Sequence, residues 1–257
     1  MGATELLSGL RAQLLFALIP QSTTMDIGTI EALALRPAHA SPPQRVDSVL
    51  ALAAGLAGDV HADALSPRQL LLAGWPAYAD LALPPHALRE NLLLDLDTAA
   101  LRSGTVLRVG DEVLLRLMFQ CEACGRLDLQ RRGLARALGT RRGMLARVLR
   151  GGTVRPGDRV RDLGVLLPAW DDDWRARVLR VLAAVPDGCV VEYSRLAHLA
   201  GIASTYCRAF PGMLRKADPV LAARAVALRA SPERVRWDGR GLFDDAAATA
   251  DALRRAA

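Results

Sequence analysis

The stretch Val113-Leu-Leu-Arg-Leu-Met-Phe-Gln-Cys-Glu-Ala-Cys-Gly-Arg126 decides how the chain is read. Residues 113–119 are short, apolar and preceded by Gly110-Asp111, which predicts a strand entered from a tight turn. With 106–110 on the other side of that turn, the pattern predicts a hairpin. Two cysteines three residues apart then fall at the strand end or on the loop beyond it, where a thiolate can meet a ligand. Taken alone, Cys121-x-x-Cys124 is open to zinc, redox chemistry or catalysis. A structural zinc site needs a second pair of ligands, and no further Cys-x-x-Cys or His-x-x-His is present.

Outward from this point the pattern is one of short strands. Residues 27–35 alternate as a strand, and 36–44, with three prolines, form a loop. Residues 46–56 predict a strand or short helix, 58–63 a polar turn, and 66–72 a strand. Residues 80–93 contain Pro84-Pro85 followed by a run with the pattern of a short helix. Residues 129–149 have a helical pattern, interrupted by Gly133, Gly139 and Gly143 and ended by Gly151-Gly152. Residues 154–160 predict a turn and a closing strand. Many short strands with turn signals point to a barrel or strongly bent sheet rather than a parallel α/β sheet.

The character changes near Leu167-Pro168. Asp171-Asp-Asp173 predicts the N-terminal cap of a helix over 174–184. Further helices are expected over 193–200 and over 204–216, the latter kinked at Pro211. Residues 222–229 predict a strand or short helix, Asp238-Gly239 a hairpin tip, and 244–256 an Ala-rich helix. Two helices joined at Gly201 form a helix-turn-helix pattern of the winged kind.

The 257 residues are 51% hydrophobic, enough for a large core and incompatible with a disordered chain. Four cysteines in this length point to reduced thiols in the cytoplasm rather than a disulfide scaffold. Residues 1–116 carry 8 basic and 12 acidic residues, 117–167 carry 11 and 4, and 168–257 carry 14 and 11. The positive field is therefore focused beside the cysteine pair and suits an anionic ligand. Lys216 is the only lysine, so arginine supplies nearly all of it. Residues 1–25 are read as an N-terminal extension. Its apolar run 14–19 is too short to span a bilayer, so a docked extra helix and no membrane partner are expected. Met25 offers a second translation start.

Gly58-Asp59-x-His61, Arg68-Gln69, Glu90-Asn91, Cys124, Gly143 and Gly157-Asp158 occur in an order and spacing that resemble MOSC domains. That family is named from the C-terminal domain of molybdenum cofactor sulfurase. The resemblance spans about 27–163 and sets a domain at 26–167. It implies a β-barrel with flanking helices in an α+β protein, and molybdenum cofactor (molybdopterin) as the bound group. It also implies sulfur carriage, or reduction of N-hydroxylated substrates with electrons from a donor protein. Pyridoxal phosphate binding belongs to the same family vocabulary. By position, Cys124 is the catalytic residue and metal ligand, and Asp59, His61, Arg68, Asn91, Cys124 and Arg126 hold the cofactor. Ala123 stands where the family has proline. Glu90-Asn91 reads equally as a buttress of the barrel, and Gly58-Asp59 as a simple turn.

Residues 178–193, Leu196-Ala-His-Leu-Ala-Gly201 and Arg208-Ala resemble the DNA-binding domain of O6-alkylguanine-DNA alkyltransferases and alkyltransferase-like proteins. This sets a second, mostly helical winged-helix domain at 168–257. It implies DNA as a partner, with Tyr193 and Arg208 assisting nucleotide extrusion and Arg215 and Lys216 on the recognition helix. The acceptor motif Pro-Cys-His-Arg is missing, so no alkyl transfer is expected. Two functions stand side by side: a molybdenum-dependent reductase, and a non-catalytic sulfur or cofactor carrier with a damage-sensing or protein-contact module.

Overall fold

The computed structural model describes residues 25–228, 230–244, 250 and 254. The expected N-terminal helix lies outside the described residues, as does most of the expected C-terminal Ala-rich helix.

Among the described residues, eleven strands precede the change of character. They are β1 (Met25–Leu35), β2 (Gln44–Val46), β3 (Val49–Leu52), β4 (Gly55–Leu56), β5 (Leu70–Gly74), β6 (Leu92–Leu94), β7 (Thr105–Val109), β8 (Val113–Gln120), β9 (Met144–Arg150), β10 (Gly152–Val154) and β11 (Arg159–Val165). Seven of them close into a barrel in the order β11-β7-β8-β9-β5-β6-β1, and β1 returns to β11 through Met25↔Asp162 and Thr29↔Arg159. Only the β5–β6 pair within it is parallel. Strand β2 hangs on β1, and β10, β3 and β4 form a small separate sheet. Closure removes the exposed edges that an open sheet of short strands would present.

Strand β8 explains why the opening stretch is apolar throughout rather than alternating. Val113, Leu115 and Leu117 point into the barrel core, while Leu114 packs on an outer cluster with Val106 and Leu163. A register shift against β9 between Leu117 and Gln120 then breaks the alternation. Met118, Phe119 and Cys121 pass instead into a third apolar cluster, shared with residues beyond 168. A bulge of this kind re-aims side chains next to a site.

Two helical expectations before residue 150 are corrected. The helix near 80–93 forms earlier, as α1 (Trp75–Leu81), with Pro76 in its first turn where no hydrogen bond is lost. The segment after it is a string of turns. The long helix expected over 129–149 breaks into α2 (Gly125–Asp128), α3 (Leu134–Leu138), a 3-10 turn (Gly139–Arg142) and strand β9. The break is at Gly143, whose φ of +122° no other residue adopts easily. From Met144 to Val148 every residue is buried between β5 and β8, which is strand behaviour, not the one-sided burial of a surface helix.

Beyond Pro168 the chain forms α4 (Trp174–Ala183), β12 (Cys189–Glu192), α5 (Tyr193–Leu199), a 3-10 helix (Ser204–Ala209), α6 (Phe210–Ala217), α7 (Pro219–Ala222), β13 (Ala225–Val226) and β14 (Val235–Arg236). Asp173 caps α4 by accepting from the Arg175 amide, as its position predicts. Pro211 starts α6 rather than kinking a longer helix. Strands β13 and β14 each pair with β12 in parallel. The turn at Asp238-Gly239 therefore follows a parallel strand, and no antiparallel hairpin forms there among the described residues. No helix among the described residues is long and apolar enough to cross a membrane.

The second segment does not stand apart from the barrel. Val178, Val181, Leu182, Leu196, Leu199 and Phe210 share one buried cluster with Leu71, Met118, Phe119 and Leu145 of β5, β8 and β9.

Candidate functional site

A cavity of about 220 Å³ opens where β1 and β8 end and β5 begins. It is lined by Arg36, His39, His61, Arg68, Leu70, Leu71, Arg89, Asn91, Cys121, Cys124, Arg126, Arg142 and Leu145. Residues from five separate loops and strand ends thus meet at one place, with five guanidiniums and two thiols.

Asp59 organises one side of it from behind. Its carboxylate is buried and accepts from the Arg36 amide (2.9 Å), the His61 amide (2.9 Å), His61 Nδ1 (2.9 Å) and Asn91 Nδ2 (2.8 Å). Burial alone would raise its pKa, but the hydrogen bonds from His61 and Arg36 outweigh it and hold the carboxyl at about 2. Arg36 Nη2 lies 2.7 Å from His61 Nε2 and 3.0 Å from Nδ1, so the ring that Asp59 holds stands against the Arg36 guanidinium. The imidazole, held in place by Asp59, serves to aim the Arg36 guanidinium.

The arginines repel one another. Burial, first, and then Arg89, Arg126 and Arg142 lower the pKa of Arg36, against the pull of Asp59. Burial and the charges of Arg126 and Arg142 do the same to Arg89. Arg142 is only 8% exposed, and its Nε and Nη1 are buried without a hydrogen-bond partner. A charged group in that condition costs free energy unless a counter-charge arrives. Arg89 itself sits at a φ of +56°, in a loop where Ala82 and His86 also adopt positive φ. Such conformations are uncommon outside glycine and persist where surrounding contacts enforce them.

The two cysteines have different settings, and both are free thiols. Cys121 is 6% exposed, with its sulfur 3.7 Å from Arg68 Nη2. Cys124 is exposed at the start of α2. Among the described residues no group of three His, Cys, Asp or Glu side chains is arranged to hold a metal ion on its own.

Residues 61–161 match the family model of the MOSC domain. The matched span carries His61, Arg68, Asn91, Cys121, Cys124, Arg126 and Arg142, and the barrel strands from β5 to β9. MOSC domains are associated, as a family, with molybdenum cofactor binding. Among solved structures, the YuaD protein from Bacillus subtilis is similar at 17% identity, covering 55% of this chain and 98% of that one, with a TM-score of 0.47. YiiM from Geobacillus stearothermophilus is 12% identical over 90% of this chain and 100% of its own, at 0.42. YiiM from Escherichia coli is 19% identical over 73% and 92%, at 0.40. No curated protein sequence matches.

Of the residues expected at the MOSC site, His61, Arg68, Asn91, Cys124 and Arg126 line the cavity. Asp59 stands behind it and positions His61 and Arg36. Asn91 lines the wall, but its amide is engaged inside the protein: Nδ2 donates to Ala34 O and Asp59, and Oδ1 accepts from the Leu71 amide. It acts as a buttress, the alternative role expected for Glu90-Asn91. Arg36, His39, Arg89 and Arg142 were not expected. Arg89 and Arg142 each stand one residue before a quoted motif, Glu90-Asn91 and Gly143, and that adjacency was the available signal.

The residues expected on a DNA-binding face share no cavity with this site. Arg208, Arg215 and Lys216 are exposed on the 3-10 helix and α6. Lys216 lines a shallow groove with Trp174, Arg175 and Met213. Tyr193 is half-buried, its ring edge-on to Phe210 at 5.8 Å.

Proposed function

We propose that the arginine-lined cavity holds molybdenum cofactor and that the chain uses it to reduce N-hydroxylated bases or related compounds. One observation carries this reading: the buried Arg142 guanidinium has two unpartnered nitrogens in a cavity that already holds four other arginines and a thiol. An anion is needed to balance that charge, and a soft metal suits the thiolate. A phosphorylated pterin bearing molybdenum meets both requirements, so the residues present fit the group.

In this reading Arg36, Arg89 and Arg142 hold the phosphate, with Asp59 and His61 fixing the direction of Arg36. Arg68 and Arg126 neutralise further negative charge. Cys124, accessible at the mouth, is the thiolate available to the metal. When bound, the cofactor supplies two-electron chemistry. Reducing an N–OH group breaks the N–O bond, consumes two electrons and two protons, and releases the amine and water. The electrons come from a donor protein. The exposed wall near Cys124 is where substrate arrives.

A sulfur or cofactor carrier is the second reading. The exposure of Cys124 supports it, because sulfur held there is reachable by a partner's acceptor. For the C-terminal segment, the exposed Arg208, Arg215 and Lys216 support nucleic-acid contact. A gel shift comparing O6-alkylguanine duplex with plain duplex tests that, and equal, salt-sensitive binding of both would reduce it to non-specific contact.

The deciding experiment is expression in a cofactor-competent host, with molybdenum content and pterin fluorescence measured on the purified chain. Turnover of an N-hydroxylated base with a reduced viologen as electron source then separates reductase from carrier. Cofactor without turnover favours the carrier. Absence of both metal and pterin defeats the cofactor reading.

A further inference from the structure

We infer that the segment after Pro168 buttresses the wall of this site from behind, and that Gly201 and Arg177 are positioning residues for Arg68 and the cysteine loop. The inference rests in part on the anion reading above, and its test is built to separate the two.

Three contacts run from the second segment to the two loops, 57–69 and 121–124, that carry cavity residues. The first is to Arg68. Its Nη1 donates to the Gly201 carbonyl at 2.9 Å, which turns the other branch of the fork toward the Cys121 sulfur. Gly201 can come this close only as glycine. Its φ is +69°, and a Cβ there would lie 2.7 Å from Phe119 Cζ and 2.8 Å from Pro67 Cγ.

The second contact is to the cysteine loop. Arg177 is 1% exposed and stacks over the Phe119 ring at 3.8 Å. Its Nε donates to Ala200 O at 2.9 Å, and Nη1 donates to the carbonyls of Asp171 and Asp172. Its remaining nitrogen faces Glu122, 3.6 Å away, inside Cys121-Glu-Ala-Cys124. One side chain therefore ties α4, the end of α5 and the cysteine loop together. The third contact is His198 Nε2 to Asp63 Oδ2 at 3.0 Å, on the loop that begins with Asp59 and His61.

None of these contacts is needed to close the barrel. All three end on loops that also carry cavity-lining residues. Their common effect is to fix a guanidinium that would otherwise swing freely and to cover the inner thiol. A fork held in place loses less freedom on meeting an anion than a mobile one.

The test uses the full-length chain. Pyrophosphate binding is measured by calorimetry, and iodoacetamide alkylation of each cysteine by mass spectrometry, with Cys189 as an internal reference for general loosening. Gly201→Ala is expected to weaken pyrophosphate binding about tenfold, the scale of one displaced charge-assisted hydrogen bond. It should also speed alkylation of Cys121 several-fold while Cys189 is unchanged. Unchanged affinity and unchanged Cys121 reactivity in the folded variant would overturn the inference. Should the variant not fold, hydrogen exchange on the wild type decides. Bound pyrophosphate must slow exchange of the amides at 198–202, and no change there would count against the role. If the wild type binds no pyrophosphate, the anion reading fails by itself. The Cys121 alkylation rate then judges the positioning role alone.

Discussion

Replacing Asp59 with asparagine tests the frame of the site quantitatively. The carboxylate accepts four hydrogen bonds, two on each oxygen. Asparagine keeps one acceptor and turns the other into a donor. That donor must face either the two N–H groups of His61 or those of Arg36 and Asn91. The native carboxyl sits at about 2 rather than its ordinary 3.8. At 1.36 kcal/mol per pH unit this favours the folded, charged form by about 2.5 kcal/mol. The folded pKa is depressed, so the contribution is complete above about pH 4 and disappears as pH falls through about 2. Asp59→Asn should therefore cost about 2.5 kcal/mol at pH 7, with the gap between wild type and variant closing in acid. Urea denaturation at several pH values between 7 and 2 measures it. A gap under about 1 kcal/mol at pH 7, or one that stays constant into acid, would refute the role assigned to Asp59.

Other predictions follow from single positions. Arg142→Met removes a buried guanidinium with two unpartnered nitrogens and should stabilise the ligand-free protein by about 1–3 kcal/mol in urea melts, while abolishing pyrophosphate binding. Loss of stability instead would mean that Arg142 is a structural group. Gly143→Ala places a Cβ 2.3 Å from the Leu72 carbonyl oxygen at a φ of +122°, and should destabilise by about 3 kcal/mol or more in the same assay. Cys124→Ser should abolish molybdenum retention while Cys121→Ser only weakens it, and metal analysis showing the reverse order would transfer the ligand role to the inner sulfur.

The barrel was legible because its strands carry their own punctuation. Gly110-Asp111 marks the β7–β8 turn, and Gly157-Asp158 marks the entry to β11. Strand β9 was not legible. Leucines and arginines from 129 to 149 recur at helical spacing, and only the buried position of Met144 to Val148 between two strands reveals the strand. That misreading also hid Arg142, since arginines spread along a helix do not converge on one point. Arg36 and Arg89 were hidden for a related reason. In a chain where arginine supplies nearly all the positive charge, only closure of the barrel shows which ones meet. Among the residues that line the cavity, His61, Arg68, Asn91 and Cys124 were expected from motif order and Arg126 from the basic run beside the cysteines, neither of which needs geometry. Beyond Pro168 the helix caps at Asp173 and Gly201 were readable. The parallel pairing of β12 with β13 and β14 was not, because strands of two to four residues carry almost no periodicity. Nor could local pattern show that Gly201 and Arg177 face the cysteine loop.

The most direct measurement is the molybdenum and pterin content of the chain purified from a cofactor-competent host, beside that of Arg142→Met prepared identically. The cavity chemistry predicts molybdenum and pterin together in the wild type and neither in the variant. A wild type that carries neither, or a variant that carries as much as the wild type, would contradict it.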